Sequence, residues 1–339
     1  MKGTRPRAAL WIKASPLILV IVACGGGIAL AAAAPAQGEV VLKMAHGVST
    51  SDPFHVAASK LAELVAAKTS GKVKVEVFPG GQLGNDRQMI EGMKMGTLDM
   101  SIQGNSNYEA FMPSISIFDL PFLFRDRPHA YKVLDGPIAQ EVYKELLDKQ
   151  GLRVLAVAEN GFRQTTTGKK PINSLADVKG LKMRVPPTRM FLDTWKALGA
   201  NPTAIEFVEL FTALQQGVVD GQENALGLMA ANKFYEVQKY LAMTNHMYSA
   251  TYLTIAERAY KSLSPEGQKA ITEAAAEARD FQRQFVISKD DENLAKLKAA
   301  GMIVTYPDRG EFIKAVQPVI DEFKAKFGAD RVNRIVSGG

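Results

Sequence analysis

Two arginines stand out as groups able to grip an anion. Arg163 follows an apolar run at 152–157, and Arg184 alternates with apolar neighbours in Leu181-Lys182-Met183-Arg184-Val185-Pro186. In an open α/β sheet, ligands bind beyond the carboxyl ends of strands, and both arginines fall near such ends. A guanidinium in that position serves a carboxylate or phosphate, because its planar fork engages both oxygens. The plain alternative is an internal ion pair with Asp177, Glu209 or Glu223.

Other chemistries find little footing. The four histidines, His46, His55, His129 and His246, never stand three or four residues apart, so no zinc site is expected. There is no G-x-S-x-G elbow for a serine nucleophile. A phosphate loop is missing too, since Gly168-Lys169 has Arg163 rather than glycine five positions earlier. The dense glycine run Gly25-Gly26-Gly27 sits near the N-terminus and forms no dinucleotide loop. Glu209 and Asp86 can be nominated as general bases, yet no nucleophile, base and orienting group are visible together. No metal, cofactor or catalytic residue is expected, and an enzyme acting on a small acid stays as the alternative reading.

The chain that must carry these groups has 339 residues, 41 Lys+Arg, 35 Asp+Glu and one cysteine. Lys2, Arg5, Arg7 and Lys13 precede the apolar runs at 17–23 and 28–34, which close on Ala34-Pro35-Ala36. A basic start, an apolar centre and an A-x-A end read as a cleaved secretory signal peptide over 1–36, which predicts a periplasmic protein. The rivals are a retained anchor and a lipoprotein box acylated at Cys24. Without 1–36 the four leader bases are gone, leaving 37 bases against 35 acids and no cysteine. The basic excess therefore belongs to the leader, and a nucleic-acid partner is not expected.

The elements alternate. Val40–Ala45 reads as a strand, Asp52-Pro53 as a helix start, and Val73–Val77 as a period-2 strand. Asn85 caps a helix running to Gly96, with a strand at 98–102. Further strands are predicted at 152–157, 181–185 and 218–222, giving an α/β chain with a largely parallel sheet. Met89–Gly96 with Thr97-Leu98-Asp99 echoes Leu210–Gly217 with Val218-Val219-Asp220, which hints at two lobes of related construction. Ser264-Pro265 opens a helix with no convincing stop before Gly301, roughly 54 Å long at about 1.5 Å per residue. Such a helix should lie across both lobes; the alternative is a break near Ser288-Lys289-Asp290-Asp291.

The stretches QLGNDRQMIEGMKMGTLDM (82–100), FDLPFLF (118–124), NGFRQTTT (160–167), DVKGLKMRVP (177–186), LGANPT (198–203), ALQQGVVDGQEN (213–224) and FYEVQKYL (234–241) carry a resemblance. Together, in this order, they are similar to the substrate-binding proteins of tripartite ATP-independent periplasmic (TRAP) transporters. The resemblance implies a two-lobe periplasmic solute-binding fold with hinge strands and a long helix spanning both lobes. It places lobe I at 37–161 plus about 250–289, and lobe II at 162–249 plus about 290–339. It implies a non-enzymatic monomer that closes on a small carboxylate ligand and delivers it to the membrane permease subunits of a TRAP transporter. A receptor that signals rather than transports would look the same.

By the same resemblance Arg184 pairs the ligand carboxylate, Arg163 supports it and Asn224 also reaches the acid. Phe207 forms an aromatic wall and Asp86 meets polar ligand groups. Departures from the sialic-acid binders narrow the ligand: Pro187-Thr188 replaces an amide, Gln103-Gly104 and Asn107 replace a Glu and an Arg, and His46-Gly47 replaces Met-Asn. A C4-dicarboxylate, a hydroxy acid or a uronate is expected instead, with His46, Gln103 and Asn107 available to its hydroxyls. For His46 a purely structural place in the core is the alternative, and His246 is expected to be structural.

Overall fold

Capping signals and apolar periods set the alternation of strands and helices in the computed structural model, which describes residues 39–338. The leader, its cleavage point and Cys24 lie outside the described residues. Strand β1 (Val40–Ala45) leads to helix α1 (Pro53–Lys68), whose N-cap Asp52 accepts from the Phe54 amide while Pro53 takes the first helical position. After β2 (Val73–Phe78), α2 (Asp86–Met95) opens on a reciprocal capping box between Asn85 and Gln88 and ends at Gly96, left-handed with φ 93°. Next come β3 (Met100–Gly104), α3 (Arg127–Leu134), α4 (Pro137–Gln150) and β4 (Leu152–Thr167). Then β5 (Lys182–Val185), α5 (Arg189–Ala197), β6 (Asn201–Ala204), α6 (Phe207–Gln215) and β7 (Gly221–Ala225) repeat the opening pattern. The chain closes with α7 (Leu226–Ala231), β8 (Tyr240–Ala256), α8 (Glu257–Ser262), α9 (Pro265–Ala299), β9 (Ile303–Thr305), α10 (Arg309–Phe327) and α11 (Ala329–Val336).

Among the described residues nine strands form one mixed sheet, in the order β2-β1-β3-β8-β4-β7-β5-β6, with β9 alongside β8. Strand β1 lies between β2 and β3, both parallel to it, as β5 lies between β6 and β7. The internal echo in the sequence has an atomic counterpart. Asp99 accepts from the Lys43 amide at 2.9 Å, and Asp220 accepts from the Lys182 amide at 2.9 Å. Each aspartate follows a helix closed by a positive-φ glycine, Gly96 or Gly217. The two halves are built alike.

Between them run β4 and β8, antiparallel to each other and 16 and 17 residues long, each about 50 Å at some 3.3 Å per residue. The sheet is therefore mixed rather than largely parallel. Strand β4 continues ten residues past the expected end at Val157, so Arg163 stands inside a strand and not at its lip. Strand β7 begins at Gly221 rather than 218, because Gly217 at φ 69° turns the chain first.

Helix α9 runs unbroken through Ser288–Asp291 for 35 residues, so the two-helix alternative is excluded. Ser264 caps it by accepting from the Gly267 amide at 3.1 Å. Its buried face, Ala270, Ile271, Ala274, Ala275 and Ala278, is mostly alanine, which lets it lie close. It packs on α1 of the first half, on β4, and on α7 beyond β7. Polar groups fix its centre. Gln282 bridges both backbone groups of Glu159, and Arg283 binds Asp135 and the Val157 carbonyl.

Candidate functional site

The two arginines come together in a cavity between the halves, lined among others by Gly47, Asp86, Asn107, Asn160, Arg163, Arg184, Phe207, Asn224 and Ser249. Its volume is about 50 Å³, room for several water-sized groups. Gly47, Asp86 and Asn107 come from the first half; Arg184, Phe207 and Asn224 come from the second. Asn160, Arg163 and Ser249 come from the long strands between.

Arg184 occupies the third place of β5, whose neighbours Met183 and Val185 are fully buried. Only 2 % of it is exposed. Its Nε donates to the Ile205 carbonyl at 2.8 Å. Among the described residues its two Nη groups have no hydrogen-bond partner, and no carboxylate lies within ion-pair distance. Burial lowers its pKa to about 10, opposed by the charges of Glu223, Asp86 and Glu206, so it stays cationic at neutral pH.

Arg163 is different. It is bidentate to Glu223, with Nε to Oε2 at 2.5 Å and Nη2 to Oε1 at 2.6 Å, and Nη2 also meets the Glu223 carbonyl. His246 Nε2 lies 3.0 Å from the same carboxylate, and its Nδ1 meets Thr244. Burial alone would raise the Glu223 carboxyl, but Arg163 and the hydrogen bonds outweigh it and hold the group below the ordinary range. Of the three acids offered as an internal partner, Glu223 is the one used, and by Arg163 only. Its remaining Nη1 reaches Ser249 Oγ at 3.3 Å.

Asn160 is held by a β-bulge. Glu159 pairs with Ala250 and Gly161 with Ser249, which leaves Asn160 as the extra residue, and Gly161 takes φ 112° to allow it. Asn160 Nδ2 donates to Asn224 Oδ1 at 3.0 Å, so the two amides form one polar surface beside the arginines. Asn160 and Ser249 were not singled out in the sequence. The available signal was Asn-Gly inside an extended run, a known mark of bulges.

Asp86, the first residue of α2, is half-buried and has Asn107 beside it. Burial and the nearby Glu206 carboxylate raise its pKa to about 6, against the pull of Arg184. A Cβ at position 47 would meet Asp86 Oδ1 at 3.5 Å and Phe207 at 4.0 Å, ordinary contact distances, so Gly47 lies directly against both. Phe207 opens α6 and tilts against Phe234.

Two expected residues are not in the lining. Gln103 lies between Ile102 and Gly104, which do line the cavity, and the two-residue period of β3 turns its side chain to the opposite face. His46 is fully buried beneath the lining Gly47 and Val48, with Nε2 3.0 Å from His55 Nδ1. Burial, then the His55 charge, lowers its pKa to about 4, so at neutral pH it is an uncharged core histidine. Glu209 is exposed on α6, away from the lining. Among the described residues, no three His, Cys, Asp or Glu side chains stand close enough to hold a metal ion.

Two similarly built α/β halves, joined by long strands around a buried, unpaired guanidinium, define a two-lobe solute-binding protein. The chain belongs to DctP, the bacterial extracellular solute-binding protein family 7, whose sequence profile matches residues 44–326. The 2,3-diketo-L-gulonate-binding periplasmic protein YiaO of Escherichia coli strain K12 is 38% identical over 276 residues, covering 81% of this chain and 84% of its own. A TRAP periplasmic solute-binding protein from Polaromonas sp. JS666, solved bound to D-erythronate, is 38% identical with a TM-score of 0.86, covering 88% of this chain and 99% of its own. The sugar acid binding protein DctPAm from Advenella mimigardefordensis strain DPN7T, solved with galactonate, is 34% identical with a TM-score of 0.86, covering 89% and 98%. No helix among the described residues is long and apolar enough to cross a membrane.

Proposed function

We propose that this chain is the exported solute-binding component of a TRAP transporter, capturing a small organic acid and handing it to membrane permease subunits. The ligand class is a C4-dicarboxylate, a hydroxy acid or a uronate. The carrying observation is Arg184, buried at the cavity wall with both Nη groups free of any acid among the described residues. A buried cation without a partner is costly, and a ligand carboxylate supplies the missing partner. Asn224 and Asn160 offer amide groups beside it, Arg163 positions the same wall through Glu223, and Phe207, Asp86 and Asn107 face the rest of the ligand. The solved relatives with bound sugar acids support the ligand class.

Lobe I is 37–161 with about 250–289 and lobe II is 162–249 with about 290–339, the mature chain acting as a periplasmic monomer after loss of 1–36. The acid touches both lobes only when they are closed, so binding shifts the equilibrium toward closure. A thermal-shift screen of a few hundred organic acids on the mature protein identifies the ligand by the stability it adds. Removing one partner of a desolvated ion pair costs about 3–5 kcal/mol. Arg184→Ala is therefore expected to weaken the hit by a hundredfold or more, and Arg184→Lys to recover only part, because a point charge cannot fork. Affinity within a few-fold of wild type in Arg184→Ala overturns the proposal.

A further inference from the structure

We infer that the cavity selects acids with one carboxylate and several hydroxyls over dicarboxylates, and that Asp86 is the residue that turns a second carboxylate away. This rests on the small-acid function proposed above and narrows it.

The charges around the cavity carry the inference. Its lining holds two cations, Arg163 and Arg184. Arg163 is saturated by the bidentate Glu223, which His246 and the strand ladder hold in place. One cation is therefore left for the ligand. Asp86 is the acidic residue of the lining, set on the first half while Arg184 stands on the second, and Glu206 adds a further negative charge that acts on both. Among the described residues no Lys, Arg or His lies within ion-pair distance of Asp86. A ligand that places one carboxylate on Arg184 projects its far end toward Asp86, Asn107 and Phe207.

A hydroxyl at that far end suits the site. It donates to the Asp86 carboxylate and accepts from the Asn107 amide. A second carboxylate has no proton to donate and no cation to meet. It would be desolvated beside a like charge, the arrangement that interfaces use to reject wrong partners. The start of α2 favours a negative charge at Asp86 itself, so the acid is held in place rather than displaced. Protonating Asp86 would turn it into a donor, and Glu206 losing its charge acts in the same direction. Arg184 and Asn107, which also face Asp86, oppose protonation.

The test uses matched pairs that differ only in a terminal CH2OH or carboxylate: D-erythronate with meso-tartrate, D-galactonate with galactarate, and the equivalent pair built on any other acid the screen returns. Calorimetry at pH 7.5 on the mature wild-type protein is expected to show the monocarboxylate bound at least thirtyfold more tightly. In Asp86→Asn the gap should shrink at least tenfold, chiefly because the dicarboxylate binds better. On wild type alone, the gap should also shrink as pH falls from 7.5 to 5.5, which keeps the idea testable if the variant folds badly. A dicarboxylate within threefold of its partner on wild type, or an unchanged gap in Asp86→Asn, overturns the selection rule and leaves the small-acid function standing. Binding that survives Arg184→Ala, or no response to any acid, overturns that function and this inference with it.

Discussion

Arg163 and Arg184 are both buried and both line the cavity, yet only one of them has a carboxylate of its own. That difference assigns their work. A guanidinium already neutralised by Glu223 holds the wall in shape, while one with free Nη groups is ready for a ligand. Glu223→Gln tests the first half of this statement. It leaves Arg163 buried without its counter-charge, which typically costs about 3–5 kcal/mol. Chemical denaturation should show that loss. The pH dependence follows from the depressed Glu223 carboxyl. A lowered folded-state pKa contributes stability that is complete above the unfolded value of about 4.3 and disappears as pH falls through the lower folded one. Wild type should therefore lose stability steeply below about pH 4.3, and Glu223→Gln should lack that component. Parallel acid-denaturation curves for the two proteins would contradict the assignment.

The bulge in β4 does for Asn160 what the regular ladder cannot, by adding one residue so that the amide meets Asn224 at the cavity wall. It depends on Gly161 at φ 112°, a conformation L side chains rarely adopt. Gly161→Ala meets no contact closer than 3.5 Å, so its cost is backbone strain, on the order of 1–3 kcal/mol, rather than collision. It should also weaken ligand binding, because relief of the strain moves Asn160. Gly151→Ala is the control: φ is 68°, nothing lies within 4 Å, and a stability loss without a change in affinity is expected. Equal affinity losses in both variants would remove the bulge from the binding function.

The same element explains what the sequence hid. Helix starts at Asp52, Asn85 and Ser264 could be read because caps are local chemistry, and α1, α2 and α9 begin there. Short strands beside glycines could be read for the same reason. The polar residues 159–167 and 244–251 carried no strand expectation, yet they lie inside β4 and β8, mostly buried, and are paired except at the bulged Asn160 and around 243–246. Their polarity is satisfied by distant partners, such as Gln282 on Glu159 and Thr244 on Thr165, and no local pattern announces such pairs. For the cavity, residue type and strand position pointed to Arg184 and Arg163, and only the resemblance to TRAP binding proteins added Asn224, Phe207, Asp86 and Asn107, all of which line it. Gln103 and His46 missed because a one-residue change of face is invisible without the register.

The proposed closure of the two halves needs contacts between them, and one contact between the halves lies outside the cavity. Glu109 follows β3, and its Oε2 accepts from the Met190 amide in the first turn of α5 at 3.3 Å. Thr188, the N-cap of that helix, makes no side-chain cap, so the carboxylate from the opposite half takes the vacant role. Burial raises the Glu109 pKa, opposed by the amides it meets. An anion at a helix start contributes about 0.3–1 kcal/mol. If that energy is gained only on closing, Glu109→Ala should weaken every ligand by a similar factor, about two- to fivefold. Arg184→Ala acts instead through the carboxylate itself. Trp195 supplies the reporter, since it is the single tryptophan of the described residues, buried on α5 and edge-on to His246 at 5.4 Å. Its emission should change on titration with the same midpoint as calorimetry, and Glu109→Ala should shift that midpoint without reducing the full amplitude. Small-angle scattering should show the ligand-bound Glu109→Ala protein as compact as wild type at saturation. A loss that differs from ligand to ligand would mean that Glu109 acts on the bound acid and not on closure.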